Sequence, residues 1–187
     1  MTPAAGEPGH YSGVIEVGPL TLRPWEPADA AYIFDACQDE DIQRWTTVSV
    51  PYTAGHAAGF VKAHARPQPE DDGAYFAIML TDTGELLGSI SVNHFDRATG
   101  EGEIGYWLGR DGRGRGAATQ ALDGLARWAF ATLGLERVHC RIAPGNSGSI
   151  AVALRAGFVA DGRQAGACHD GSDVTDALVF VRRAPAA

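Results

Sequence analysis

Arg110-Asp111-Gly112-Arg113-Gly114-Arg115-Gly116-Ala117-Ala118-Thr119 is the stretch whose reading decides the fold. It follows Glu103-Ile104-Gly105-Tyr106-Trp107-Leu108-Gly109, an apolar and aromatic run that reads as a strand, and it opens a helix-patterned segment over 117–133. Glycines at alternate positions let the backbone take unusual angles and approach a ligand closely. A helix start presents unpaired N–H groups and the positive end of the helix dipole. Arg110, Arg113 and Arg115 add positive charge. Strand, glycine turn and helix N-terminus together suit a phosphate or pyrophosphate.

The two commonest phosphate loops fit poorly. The dinucleotide fingerprint needs a third glycine three positions after the second. That position is Ala117 counted from Gly112 and Gly114, and Thr119 counted from Gly114 and Gly116. A P-loop needs Gly-Lys-Ser/Thr, which is absent. A turn rich in glycine and arginine can also be no more than a solvated loop.

Outward from the loop, the pattern predicts strands over 74–80, 86–95 and 101–109, joined by turns, as an antiparallel meander. Ala118, Ala121, Leu122, Leu125, Ala129 and Leu133 fall along one face of the helix over 117–133, and Gly134 suits its end. A strand over 137–143, a short helix ending near Gly157 and strands over 158–160 and 174–182 complete the C-terminal half. Upstream, a short hairpin around Gly18-Pro19 precedes helices starting near Pro27, Asp39 and Thr53. Arg66 to Gly73 reads as a loop, and Cys168-His169-Asp170 as a turn. The order is that of a mixed α/β or α+β domain rather than a regular βαβ alternation.

With 187 residues and 45% hydrophobic content, the chain suits one domain over 13–187 after a loose tail, 1–12. A formal net charge of −8 disfavours nucleic acid as a partner. Cys37, Cys140 and Cys168 show no paired metal spacing and suit a reducing, cytoplasmic setting. No apolar run reaches membrane-spanning length, and the first residues lack the order of a signal peptide. No metal is expected.

Five segments carry a family resemblance: Gly102 to Leu108, Arg113 to Thr119, Leu133 to Val138, Asn146-Ser147-Gly148-Ser149 and Arg155-Ala156-Gly157-Phe158. In this order they resemble the GNAT acyl-CoA N-acyltransferases, over roughly residues 18–183. The likeness is greatest to the branch containing the bacterial ribosomal-protein N-terminal acetyltransferases. The family's phosphate-loop pattern, Gln/Arg-x-x-Gly-x-Gly/Ala, is met by Arg113, Gly116 and Ala118. The resemblance implies a GNAT-like α+β fold, with a central, mostly antiparallel twisted sheet of six to seven strands flanked by about four helices. It also implies that the strand over 101–109 splays from that over 137–143, leaving a gap for the pantetheine of acetyl-CoA.

The implied reaction is direct attack of a primary amine, from a protein N-terminus or a small molecule, on the thioester. Glu103, in a strand beside apolar residues where burial favours a proton-accepting carboxyl, is the candidate base, with Glu101 and His94 as substitutes. The usual family tyrosine acid is replaced by Ala153; the branch resembled instead has a serine in an Asn-x-x-Ser spacing, met here by Asn146 and Ser149, which implies Ser149 at the CoA sulfur and Asn146 at the pantetheine amide. Asn146 and Ser149 can equally be capping residues. The cofactor residues implied are Trp107, Leu108, Gly109, Arg113, Gly114, Arg115, Gly116, Ala117, Ala118, Thr119, Asn146, Ser149 and Arg155. A bulge near Trp107 or Leu108 would aim an N–H at the oxyanion. Trp45, Thr46, His94 and Tyr106 are assigned to the acceptor. Cys140 reads as a buried, inert thiol. A catalytically silent acyl-CoA-binding module, and transfer of another acyl group such as succinyl, are the alternatives. A homodimer through the C-terminal strand is left open.

Overall fold

The computed structural model describes residues 13–65, 73–96 and 98–186. The proposed tail and most of the expected loop before Gly73 lie outside them.

Strands β1 (Ile15–Val17) and β2 (Leu20–Arg23) form the predicted hairpin. Helices α1 (Ala30–Ala36), α2 (Glu40–Trp45) and α3 (Ala54–His64) follow. Their starts were legible because the cap residues act as such. Asp39 accepts from the N–H groups of Asp41 and Ile42, and Thr53 from that of His56. Then come β3 (Gly73–Leu80), β4 (Leu86–Asp96), β5 (Glu101–Leu108), α4 (Ala117–Leu133), β6 (Arg137–Ile142), α5 (Ser147–Arg155), β7 (Val159–Asp170) and β8 (Asp173–Arg183).

The eight strands form one sheet in the order β1-β2-β3-β4-β5-β6-β8-β7. Every neighbouring pair is antiparallel except β5 and β6, which run parallel. This is the α+β class expected, with eight strands and five α-helices among the described residues in place of six to seven and about four. The largest departure is β7. Sequence placed a short strand at 158–160 and a turn at Cys168-His169-Asp170, whereas the strand continues to Asp170. β7 is an edge strand, exposed along most of its length and interrupted by two register shifts. It therefore lacks the alternation by which a half-buried strand is read.

The sheet has two unlike faces. Phe76, Ile78, Ile90, Val92, Ile104, Val138 and Phe180 form the main core with α4. In α4, Ala121, Leu122, Leu125 and Ala129 are wholly buried. Fully burying a leucine contributes about 1.5–3 kcal/mol, which makes α4 the principal clamp on the sheet. On the opposite face, Trp25, Ile33, Ile42, Ala57 and Val61 form a smaller core with Ala77. No helix among the described residues is long and apolar enough to cross a membrane.

Close approach between β4 and β5 is enforced at Gly88, where a Cβ would lie 2.2 Å from the carbonyl oxygen of Trp107. Gly88→Ala is expected to destabilise the fold by about 1–3 kcal/mol through overpacking. Urea unfolding checks this, and an unchanged midpoint would refute it.

Candidate active site

Parallel pairing of β5 with β6 covers only Glu101–Glu103 against Arg137–His139. Beyond it β5 stays on β4 up to Leu108, and β6 stays on β8 up to Ile142. The two strands part, as the resemblance implied. A cavity of about 1030 Å³ opens at the split.

One wall is the glycine loop. Gly114 and Gly116 have φ of 73° and 77°, in the left-handed region that favours glycine. Gly116 caps α4 without a side-chain hydrogen bond, and the first backbone donor of the α-helical ladder is Gln120, to Gly116. The N–H groups of Ala117, Ala118 and Thr119 thus open the helix, beside the cavity and free of a capping side chain. This cradle fits an anionic ligand such as a pyrophosphate.

The arginines do something else. Arg110 pairs with Asp39 at 3.3 Å and Arg115 with Glu85 at 2.9 Å. Arg113 donates to Asp39 at 2.6 Å, Asp41 at 2.8 Å and the Leu108 carbonyl at 3.1 Å. The expected surplus of positive charge at the loop is therefore matched by carboxylates. Arg155, by contrast, lines the cavity with no carboxylate partner among the described residues. Gly109 and the Arg115 side chain do not line the cavity; Gly109 donates its N–H to Leu87 at 2.9 Å.

That last bond fixes the backbone of β5. In an antiparallel ladder, backbone groups alternate between one neighbour and the other. Since Gly109 faces β4, the N–H groups of Leu108, Tyr106 and Ile104 face β6, and beyond the split they face the cleft. No bulge is needed near Trp107, where the register is regular. The bulge sits instead between Asn93 and Asp96, and places His94 at φ 47°. Consecutive strand residues normally point to opposite faces. The left-handed step allows Asn93 and His94 both to line the cavity.

Glu103 lies on the face opposite α4, between Asn93 and His139 in register. Sequence read it as a carboxyl among apolar neighbours. It is instead gripped by Arg141, whose Nε and terminal nitrogen reach its two oxygens at 2.8 and 2.6 Å. Glu101 is likewise paired, with Arg137 at 3.1 Å. Burial lowers the pKa of neighbouring His139, which favours its neutral form.

Tyr106 lies on the other face of β5 and donates its hydroxyl to the Ser149 carbonyl at 3.1 Å. It reaches α5 and lines the same cavity as Trp45, Thr46 and His94. Asn146 caps α5 by accepting from the Ser149 N–H at 3.0 Å. The Ser149 side chain borders the cavity beside the Tyr106 hydroxyl, with which it also interacts. Cys140 is wholly enclosed, and burial pushes its thiol far above the usual range.

Trp45 and Thr46 line the cavity at the end of α2. Sequence reasoning missed Arg141, Asn93, Ser89 and Ser91. The signal was Ser89-Ile90-Ser91-Val92-Asn93, whose polar alternation marks one face of β4 as a cavity floor.

A strand that parts from its parallel neighbour beside a helix start without a capping side chain, over a cavity, is an arrangement that suits an acyl-CoA-dependent transferase. Residues 19–159 match the acetyltransferase (GNAT) domain family, and the chain belongs to it. The class is accordingly an N-acetyltransferase with acetyl-CoA as donor. Over 144 residues the chain is 29% identical to the uncharacterized N-acetyltransferase p20 of Bacillus licheniformis, covering 76% of this chain and 80% of that one. Over 99 residues it is 36% identical to the ribosomal-protein-serine acetyltransferase of Escherichia coli (strain K12), covering 51% of this chain and 54% of that protein. Its fold matches Mycobacterium smegmatis RimJ, solved in complex with CoA-disulfide, with a TM-score of 0.79 at 24% identity, covering 92% of this chain and 86% of that chain.

Asp39 gives a pH signature. Burial works against its charge, but hydrogen bonds from Arg113 and the Ile42 N–H, with the nearby arginine charges, outweigh it and lower the pKa. Its contribution to stability is complete above the ordinary carboxylate value of about 3.9 and is lost as pH falls through the lowered folded value. Asp39→Asn is expected to be less stable than wild type at pH 7, with the gap closing below about pH 4. Urea unfolding across that range measures it; a gap unchanged at low pH would refute the electrostatic origin.

Proposed function

We propose that this protein moves the acetyl group of acetyl-CoA to the α-amine of a peptide or protein N-terminus by direct attack. The observation that carries the reading is the parted β5–β6 pair beside the open α4 N-terminus, in a chain of this family. Acetyl-CoA, when bound, supplies an acyl carbon activated as a thioester. The N–H groups of Ala117 to Thr119 bind its pyrophosphate, and Arg155 meets a further phosphate. The N–H of Leu108 donates to the oxygen where negative charge develops. The Ser149 hydroxyl donates to the departing sulfur. The amide nitrogen of Asn146 is left for the pantetheine, since its oxygen caps α5.

Charge balance argues for an α-amine. The cavity carboxylates Asp41 and Glu103 are both engaged by arginines, so no unpaired carboxylate among the described lining residues would draw in a polycation. An α-amine, with a pKa of about 7.7–8.0 against about 10.4 for lysine, is about a quarter to two-fifths neutral near pH 7.5, against about 0.1% for lysine, and needs only a modest base. Glu103 can supply it, because each oxygen keeps a lone pair beyond its bond to Arg141. The ribosomal-protein-serine acetyltransferase of Escherichia coli (strain K12), similar over about half its length, supports a protein acceptor.

Calorimetry with acetyl-CoA, then thiol release with a peptide beginning in serine or alanine, tests the reading. Turnover of the peptide well above that of spermidine is expected; preference for spermidine would overturn the acceptor assignment. Gly116→Asp is expected to abolish CoA binding, placing a carboxylate at the anion cradle and a side chain at φ 77°. Unchanged affinity would remove the loop from the site. Ser149→Ala is expected to lower kcat by about 10²-fold with CoA affinity nearly unchanged; a loss of affinity alone would make Ser149 a binding residue only.

A further inference from the structure

Arg113 opens the phosphate-loop pattern, yet its side chain is turned from the cradle. Its three guanidinium nitrogens all donate to protein oxygens, two of them to Asp39 and Asp41 of the α2 start. Asp39 has a side chain only 6% exposed and is also the α2 N-cap, so the tie acts on the helix itself. The other end of α2 is held across the split. Arg44 pairs with Asp170 of β7 and accepts the Gly171 N–H at 2.9 Å. Trp45 lies over the turn after β6, where a Cβ on Gly145 would be 3.0 Å from its ring. Between these anchors, α2 and the residues after it form a cavity wall.

We propose that Arg113 is a positioning residue that couples the cofactor loop to this acceptor-side wall, rather than a phosphate ligand. The anion is met by backbone N–H groups, which leaves the side chain available for the tie. A loop settled on the cofactor holds Arg113, Arg113 holds Asp39, and α2 sets Trp45 and Thr46 against the acceptor. The inference rests on the proposed function only in naming that wall as the acceptor side.

The test compares wild type with Arg113→Met, Asp39→Asn and the double variant; Asn keeps the α2 N-cap. Three measurements are made: CoA affinity by calorimetry, hydrogen exchange of residues 40–48 with and without CoA, and kinetics with the best amine of the wild type. CoA is expected to slow exchange over 40–48 in wild type and not in the variants. CoA affinity should stay within about twofold, while the amine KM rises about tenfold in each single variant and no further in the double. A tenfold loss of CoA affinity in Arg113→Met but not Asp39→Asn would make Arg113 a phosphate ligand and overturn the proposal. So would exchange over 40–48 that ignores CoA in wild type. The exchange measurement needs no acceptor, so a wrong acceptor assignment and a wrong coupling give different results.

Discussion

Parallel pairing between β5 and β6 ends after Glu103 and His139, and the site depends on where it ends. Had it continued, the N–H groups of Tyr106 and Leu108 would be satisfied by β6. Because β6 pairs with β8 and follows it, those groups face open space. A backbone donor that lacks a protein partner but can reach a ligand is a binding group rather than a defect. The same parting makes room below Ser91 and Gly105, where a short hydroxymethyl group and the lack of any side chain keep the floor of the cavity low.

The expected sheet and helices were legible because the local signals and the tertiary contacts agree. The 3.6-residue spacing of Ala118, Leu122, Leu125 and Ala129 is the buried face of α4, and Gly134 has φ 71° at its end. Asp39 and Thr53 cap the helices they were read to start. What failed was long-range. Nothing near Glu103 in the sequence announces Arg141, thirty-eight residues later, because the partner is set by strand order. The bond from Tyr106 to the Ser149 carbonyl, forty-three residues later, is likewise set by the fold and not by neighbours in sequence. The long edge strand β7 escaped notice because it buries too little to show a period.

His94 shows how a local irregularity serves the site. A left-handed backbone costs an ordinary L-residue energy, although His tolerates it better than most. The bulge that requires it brings two successive side chains to one cavity at the end of β4. A regular strand would turn the second away. Asn93 carries a related tension, since its Oδ1 is enclosed without a hydrogen-bond partner among the described residues. Such groups are uncommon, and they gather where a protein keeps polar capacity for something other than its own folding.

The treatment of charge follows from the overall balance. A chain of net charge −8 must receive a strongly anionic donor. It does so without a cluster of free arginines: Arg44, Arg113 and Arg141 border the cavity and each is held by a carboxylate, while Arg155 has no carboxylate partner among the described residues. Free guanidinium groups would be screened by salt and would lose side-chain entropy on binding. Backbone N–H groups at a helix start are fixed by the fold before any ligand arrives, and need no counter-charge in its absence. On the proposed reading, recognition of the pyrophosphate thus falls to the main chain. The arginines are left to hold in register the strands and helices that surround it.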